Sequence, residues 1–421
     1  MKKISYPLQG DSDLDVLLSH IGDDRFVLIG EASHGTHEYY LWRSRLTKKL
    51  IAEKGFTIVA VEGDWPDCYQ VNRYVKNYEN SGISAKDVLK GFHRWPTWMW
   101  ANWETIAFVE WLRKHNDNLS KSDCVGFYGL DVYSLWESME AIFSYAKDKY
   151  PEAIPSILEA MDCFEPFNIK AVFFYADRNY GMPTSCQKEL EKLLADIRKK
   201  IPLFEKDLEA SFNAEQNALI AKNAEHYYHS MLVGGESTWN IRDKHMADTV
   251  DRLMDHYGDE SKIVIWAHNT HIGDARATSM RSNGLLNIGQ IIQEKYASEG
   301  VFRIGFGSYE GNVIAGEHWG APMKRTPVPP AKDESWEQLL HLAESEDKIL
   351  FTKDLRFFHN PIGHRAIGVV YDPEDEYGNY VQSVIPERYE AFIYIDKSQA
   401  LHPIHVKTDT DATPETYPFG I

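Results

Sequence analysis

RFVLIGEASHGTHEYY, Arg25 to Tyr40, is the stretch on which the fold turns. Its first six residues form an apolar run without polar alternation. Such a run suits a short strand buried on both faces, as in a parallel sheet. Directly behind it, Glu31, Ser33, His34, His37 and Glu38 fall within eight residues. A helical period then runs from Thr36 to Lys54 and stops at Gly55, a C-cap signal. The order is strand, polar exit, helix.

The same order recurs along the chain. Apolar runs stand at FTIVAVEG (Phe56 to Gly63), CVGFYGLD (Cys124 to Asp131), KIVIWAHN (Lys262 to Asn269) and VFRIGFGSYEG (Val301 to Gly311). Helical stretches such as Trp98 to His115 separate them. This alternation predicts an α/β fold, with a mostly parallel central sheet flanked by helices. Between Val132 and Val233 the only glycine is Gly181. Leu190, Leu193, Leu194 and Ile197, then Ile220, Ala224, Tyr227, Tyr228 and Met231, recur there at helical spacing. We expect a helical insertion that caps the carboxyl end of the strands. The chain then divides into a first part of the core (1–131), the insertion (132–260) and a second part of the core (261–421). The tail predicts one more helix, Trp336 to Ala343, and short strands at KILFTK and EAFIYI.

Composition narrows the class of function. The chain has 421 residues, 43% of them hydrophobic, which is ample for a large core. Its 45 basic and 63 acidic residues leave a formal charge of -18, which repels nucleic acid and anionic membranes. The expected partner is a small molecule, with no nucleic acid and no membrane. Cys68, Cys124, Cys163 and Cys186 form no C-x-x-C pair and are too sparse for a disulfide scaffold. The first residues have no apolar stretch of the secretory kind. No run of about 18 apolar residues is found. A cytoplasmic protein is expected.

Titratable groups collect where the apolar runs end. Glu31 and His34 follow the first, Glu62 the second, Asp131 the third, and His268 and His271 the fourth. Ser308, Tyr309 and Glu310 close the fifth. Open α/β sheets bind ligands outside the carboxyl ends of their strands. Arg43 lies on the apolar stripe Tyr39, Leu46, Leu50, and Arg242 lies four residues before Met246 on the stripe Met246, Val250, Leu253. Both guanidinium groups should turn inward, where each needs a carboxylate or a ligand anion. Structural ion pairs with Glu31, Glu62 or Asp243 would satisfy them equally well. Trp95, Trp98, Trp100 and Trp103 cannot all face one core, so Trp98 and Trp103 are candidates to line a cleft beside Asp131 and Tyr309.

Three chemistries compete for these parts. The serine-hydrolase elbow G-x-S-x-G is absent. Glu31-x-x-His34, His34-x-x-His37 and His268-x-x-His271 each offer two metal ligands at i and i+3, but none is H-E-x-x-H. A histidine base that activates water, with arginine and a second histidine holding the carbonyl oxygen, fits without an added cofactor or metal.

GEASHGTHEYYLWR, VAVEGDWPD, YGLDVYS, NIRDKHMA and WAHNTHIGD, in this order, resemble the erythromycin esterase family. The resemblance runs from about the first strand to the fifth. It implies hydrolysis of a macrolide lactone, and so antibiotic inactivation, by water activated at the first-motif histidine, His34. It matches Glu31, Arg43, Glu62, Arg242, His268 and His271 to the family's other site positions. In the reading that results, His34 is the base, and Glu31 and Glu62 orient it or hold Arg43. His268, His271 and Arg242 stabilise the oxyanion or protonate the leaving alcohol. A metal-dependent hydrolase built on the same cluster, or a haem- or metal-binding protein without turnover, are the alternatives.

Overall fold

The computed structural model describes residues 5–164, 185–200, 208–234, 236–405 and 407. Its strands are β1 (Ser5–Pro7), β2 (Phe26–Ile29), β3 (Ile58–Asp64), β4 (Gly126–Asp131), β5 (Ile263–Trp266), β6 (Val301–Ala315), β7 (Lys324–Val328), β8 (Lys348–Phe351), β9 (Ile362–Arg365), β10 (Tyr380–Ser383) and β11 (Ala391–Ser398). Nine of them form one sheet in the order β1-β8-β11-β6-β2-β5-β3-β4, with β7 added on β6. The pairs from β11 through β4 are parallel, while β8 and β7 run antiparallel to their neighbours. β9 and β10 pair separately.

The apolar runs are continuous because both sheet faces are covered. Val27, Ile29, Val59, Val61, Val264 and Trp266 enter one core cluster. Their alternates Phe26, Leu28, Ile58, Ala60, Ile263 and Ile265 enter a second cluster on the opposite face. Fully burying each large side chain contributes about 1.5–3 kcal/mol, so neither face tolerates a polar residue in the middle of these strands. Helices α1 (Asp15–Ile21), α2 (His37–Lys54), α3 (Trp65–Val75) and α4 (Trp103–Asn116) supply most of the first cluster's helical residues. α2 ends where Gly55 turns left-handed, at φ 72°, as the sequence signal predicts. α4 begins later than the Trp98 expected. Asn102 caps it by accepting a hydrogen bond from the Thr105 N–H, and Trp98 sits in a separate short turn.

The helical span follows as α5 (Leu135–Lys149), α6 (Ile154–Phe164), α7 (Gln187–Lys200), α8 (Leu208–Val233) and α9 (Thr238–Tyr257). It has its own core, drawn from residues between Val132 and Ile241. Beyond that point α9 belongs to the sheet, through Met246, Val250, Leu253 and Met254. Gly181 of the expected insertion lies outside the described residues. Cys163 and Cys186 form a disulfide across 23 residues, with Cα atoms 6.0 Å apart. Their spacing in sequence did not reveal that pairing. Cys68 and Cys124 are buried. The expected tail helix, Trp336–Ala343, and tail strands β8 and β11 are present.

One expected strand end is corrected. β6 does not stop before Ser308, Tyr309 and Glu310, because Gly311 to Ala315 continue it against β7 and β11 spans Ser308 to Gly311. Those three residues are mid-strand. No helix among the described residues is long and apolar enough to cross a membrane.

Candidate active site

The sheet order sets the ends of β2, β5, β3 and β4 side by side. The groups they carry, Glu31, His34, Glu62, Asp131, His268 and His271, are each no more than 1% exposed, as are Arg43 and Arg242. The backbone at the β2 exit is packed too tightly for side chains at two positions. A Cβ on Gly30 would lie 2.1 Å from the Asn269 amide oxygen, and one on Gly35 would lie 1.9 Å from the Ile314 carbonyl. The glycines let the His34 loop wedge between β5 and β6.

Glu31 holds two partners. Its Oε1 accepts from His34 Nδ1 at 2.9 Å, and its Oε2 meets Arg43 Nη2 at 2.9 Å. A carboxylate can only accept, so His34 Nδ1 carries the hydrogen of this bond. His34 Nε2 is buried and has no hydrogen-bond partner among the described residues. The Arg43 guanidinium also lies over the rings of Tyr40, at 4.3 Å, and Trp266, at 5.2 Å, which replace part of its lost hydration.

Arg242 organises the other side. It holds Asp131 in a two-pronged pair, Nε to Oδ1 at 2.9 Å and Nη2 to Oδ2 at 2.7 Å. Nη2 also donates to Glu62 Oε1 at 2.6 Å, and Nη1 lies 3.0 Å from His271 Nε2. His271 Nδ1 sits 2.9 and 3.0 Å from the two oxygens of Asp243, and its ring stacks on Trp239 at 4.5 Å. Burial pulls His271 down, but the Asp243 and Glu62 carboxylates outweigh it and hold the imidazole above its ordinary value. Burial works against charge on Glu62, yet His271, Arg242 and His34 hold its carboxyl well below the usual range.

His268 bridges the two sides. Its backbone N–H donates to Glu62 Oε2 at 2.7 Å. Its Nδ1 accepts from the Thr270 N–H at 3.3 Å, which leaves the ring hydrogen on Nε2. That Nε2 is also buried without a partner among the described residues. Burial first, and the neighbouring His34 second, push His268 well below its ordinary value, so its ring is neutral. The His34 and His268 rings lie 5.0 Å apart. Two buried ring nitrogens without a partner among the described residues thus sit on imidazoles 5.0 Å apart.

The expected site residues divide. Glu31, His34, Arg43, Glu62, Arg242, His268 and His271 come together as described. Glu62 bonds Arg242 and the His268 backbone, rather than orienting His34 or holding Arg43 as expected. Asp131, expected to bind substrate, is taken up by Arg242. Trp98 is buried edge-on against Trp95. Trp103 is 50% exposed, with the Lys86 ammonium over its ring. Tyr309 stacks on His341 at 3.7 Å. The i,i+3 pairs split as well. Glu31 and His34 meet, but His37 turns to Glu104 at 2.5 Å, and His268 and His271 take different partners. Sequence reasoning missed the roles of Thr270 and Trp239, and offered Asp243 only as an arginine partner.

Comparison with known proteins adds lineage. The Erythromycin esterase family model matches residues 51–398. Erythromycin esterase type II of Escherichia coli is 23% identical over 335 residues, covering 74% of this chain and 76% of the relative. A provisionally named hydrolase of Bacillus subtilis (strain 168), YbfO, is 21% identical over 406 residues, covering 92% and 86%. Among solved structures, a succinoglycan biosynthesis protein superposes with a TM-score of 0.73 at 21% identity, covering 95% of this chain and 96% of the other. A mutant erythromycin esterase in its open conformation gives a TM-score of 0.66 at 15% identity, covering 94% and 97%. The central sheet flanked by helices is thus the fold of erythromycin esterase structures.

Proposed function

The chain belongs to the erythromycin esterase family, whose membership and relatives point to a hydrolase, and from that premise we propose that it is a carboxylic-ester hydrolase that opens a macrolide lactone or a similar ester. One observation carries the reading: the Nε2 atoms of His34 and His268 are both buried, unpartnered among the described residues, and on rings 5.0 Å apart. Water placed there gives its proton to His34 as its oxygen attacks the ester carbonyl. Glu31 on His34 Nδ1 stabilises the imidazolium that forms. The carbonyl oxygen, now an oxyanion, accepts from His268 Nε2. The tetrahedral intermediate collapses, the carbon–oxygen bond to the alcohol breaks, and His34 returns its proton to the leaving alkoxide. The products are a carboxylic acid and an alcohol. For a lactone they are one hydroxy acid, heavier by one water.

Arg242, Asp131, Glu62, His271 and Asp243 are positioning residues in this scheme. Their bonds to one another hold the His268 backbone through Glu62. The carboxylates that a metal-dependent reaction on the same cluster would draw on are already paired, Glu31 with Arg43 and Glu62 with Arg242. A panel of macrolides, simple lactones and linear esters, incubated with the protein and read by mass, tests the proposal. The expected result is gain of one water on at least one member, lost in His34→Ala. No gain on any ester refutes ester hydrolysis. Equal gain with His34→Ala refutes the base.

A further inference from the structure

A second titratable cluster lies outside that centre. His37 Nδ1 is 2.5 Å and His402 Nδ1 2.6 Å from the same oxygen, Glu104 Oε1. The two rings are 5.1 Å apart and nearly perpendicular, at 83°. Glu104 is 9% exposed, and its other oxygen, Oε2, is buried with no hydrogen-bond partner among the described residues. Among those residues this is the group whose donor atoms, all within 4.8 Å of one another, could share a metal ion.

We infer that His37, Glu104 and His402 form a binding site for a zinc-class divalent cation that clips the segment after β11 to the starts of α2 and α4. Two imidazoles and one carboxylate are a borderline nitrogen and oxygen set. That set suits Zn2+ and its first-row neighbours, whereas Ca2+ and Mg2+ ask for shells made of oxygen. Three protein ligands leave a fourth position, and His402, with 58% of its side chain exposed, opens it to water. Ligands about 2.0–2.1 Å from zinc lie further apart than these hydrogen-bonded atoms do, so the rings must open by less than about 1 Å. The exposed imidazole of His402 can make that move.

The backbone already holds the three residues in place without the ion. The His37 N–H donates to the Gln399 carbonyl at 2.8 Å, the Trp103 N–H to the His402 carbonyl at 2.9 Å, and the Ile404 N–H to the Ala101 carbonyl at 2.9 Å. The Leu401 N–H donates to the carbonyl of Gly35, the residue after His34. A cation here therefore steadies the loop that carries His34 without touching the reacting atoms. The competing arrangement is a pair of ordinary hydrogen bonds from two imidazoles to one carboxylate. That arrangement accounts for the two short distances but leaves Glu104 Oε2 buried and unused, whereas a metal can draw on both oxygens.

The test is a calorimetric titration of the chelator-treated full chain with ZnCl2 at neutral pH, repeated with Co2+ and read by its d–d absorption. We expect about one equivalent bound and a higher unfolding midpoint with zinc. Loss of a ligand should cost more than the roughly 10–100-fold typical of losing a supporting residue, so His402→Ala and Glu104→Gln should each weaken binding beyond that range and abolish the cobalt bands. His34→Ala should bind as the parent does. His402 is exposed enough that its variant should fold normally, which keeps the test valid even where Glu104→Gln does not fold. No binding by the parent, unchanged binding by His402→Ala, or binding lost in His34→Ala would each overturn the site.

Discussion

Two buried histidine–carboxylate pairs of the site differ in how their second ring nitrogen is satisfied. His34 faces Glu31 at 2.9 Å, and His271 faces Asp243 at 2.9 Å. Both imidazoles are fully buried, and they follow the neighbouring strands β2 and β5. The far nitrogen of His271 meets Arg242 at 3.0 Å, whereas the far nitrogen of His34 has no partner among the described residues. A buried polar atom left unbonded costs stability, and folds seldom keep one without use. The saturated pair therefore reads as scaffold and the unsaturated pair as the reacting one. A carboxylate beside a histidine does not separate the two; the state of the second nitrogen does.

The hardest blow to this contrast falls on His34. Positioned proton transfer is worth about 10²–10⁴-fold, so His34→Ala should lose at least that in turnover on whichever ester the panel identifies. His34→Gln should do no better, because an amide cannot take the proton. Normal turnover with a lowered melting temperature would mean that His34 is scaffold too, and the comparison would collapse. Arg242→Met attacks the saturated side. It strands Asp131 and Glu62 as buried, uncompensated charges, and such losses cost about 3–5 kcal/mol. The variant should show a lowered urea midpoint well before any defect specific to turnover. A fully stable but inactive Arg242→Met would make Arg242 a reacting group instead.

His268→Ala sharpens the division further. Removing one oxyanion donor typically costs about 10²–10³-fold in kcat. The proposed scheme places that loss in kcat, beyond the stability lost with the Thr270 bond to Nδ1, since Nε2 has no protein partner to lose among the described residues. His271→Phe keeps the stack on Trp239 but removes both ring nitrogens, so its loss should appear in stability first. If the two variants traded phenotypes, the assignment of donor and scaffold would be reversed.

Much of this was legible in the sequence, for a physical reason. β2 to β5 are covered on both faces, so their runs are apolar without interruption and their ends stand out. The helix after His34 announced its end with Gly55. Partnership was harder to read, because chain order hides sheet order. β5 inserts between β2 and β3, and only that crossover brings His268 beside His34. The end of β6 was misread because its last residues pair with β7, a contact that no local pattern signals. Asp131 looked free to bind substrate, since nothing near it in sequence betrays Arg242, 111 residues away. The meeting of His37 with His402 is more remote still.

The smallest effect expected is a tilt in stability against pH, and it compares two histidines of α9's surroundings. His271 has a directly bonded carboxylate and is held above its ordinary value. His245, which lies on α9, has Asp131 nearby, but its Nδ1 lies 2.8 Å from the Asn223 amide nitrogen. Burial outweighs Asp131 there and pushes His245 from 6.5 down to about 4. The sign follows from which state binds the proton. As pH falls through 6.5, an unfolded chain protonates this histidine while the folded chain refuses, so stability is lost on the acid side, down to about pH 4. His271 works the other way: its contribution is fully present below the unfolded value and fades as pH rises through the folded one. His245→Gln should therefore flatten the acid limb of stability between pH 6.5 and 4, by roughly 1–3 kcal/mol across that window. The carboxylates that also titrate there are common to both proteins and cancel in the difference. His271→Gln should tilt the profile in the opposite sense, removing stability chiefly at low pH. Urea midpoints of the three proteins at half-unit pH steps measure this directly. Parallel curves for parent and His245→Gln would mean that burial does not set the protonation of this region, and the distinction between bonded and merely neighbouring carboxylates would fail with it.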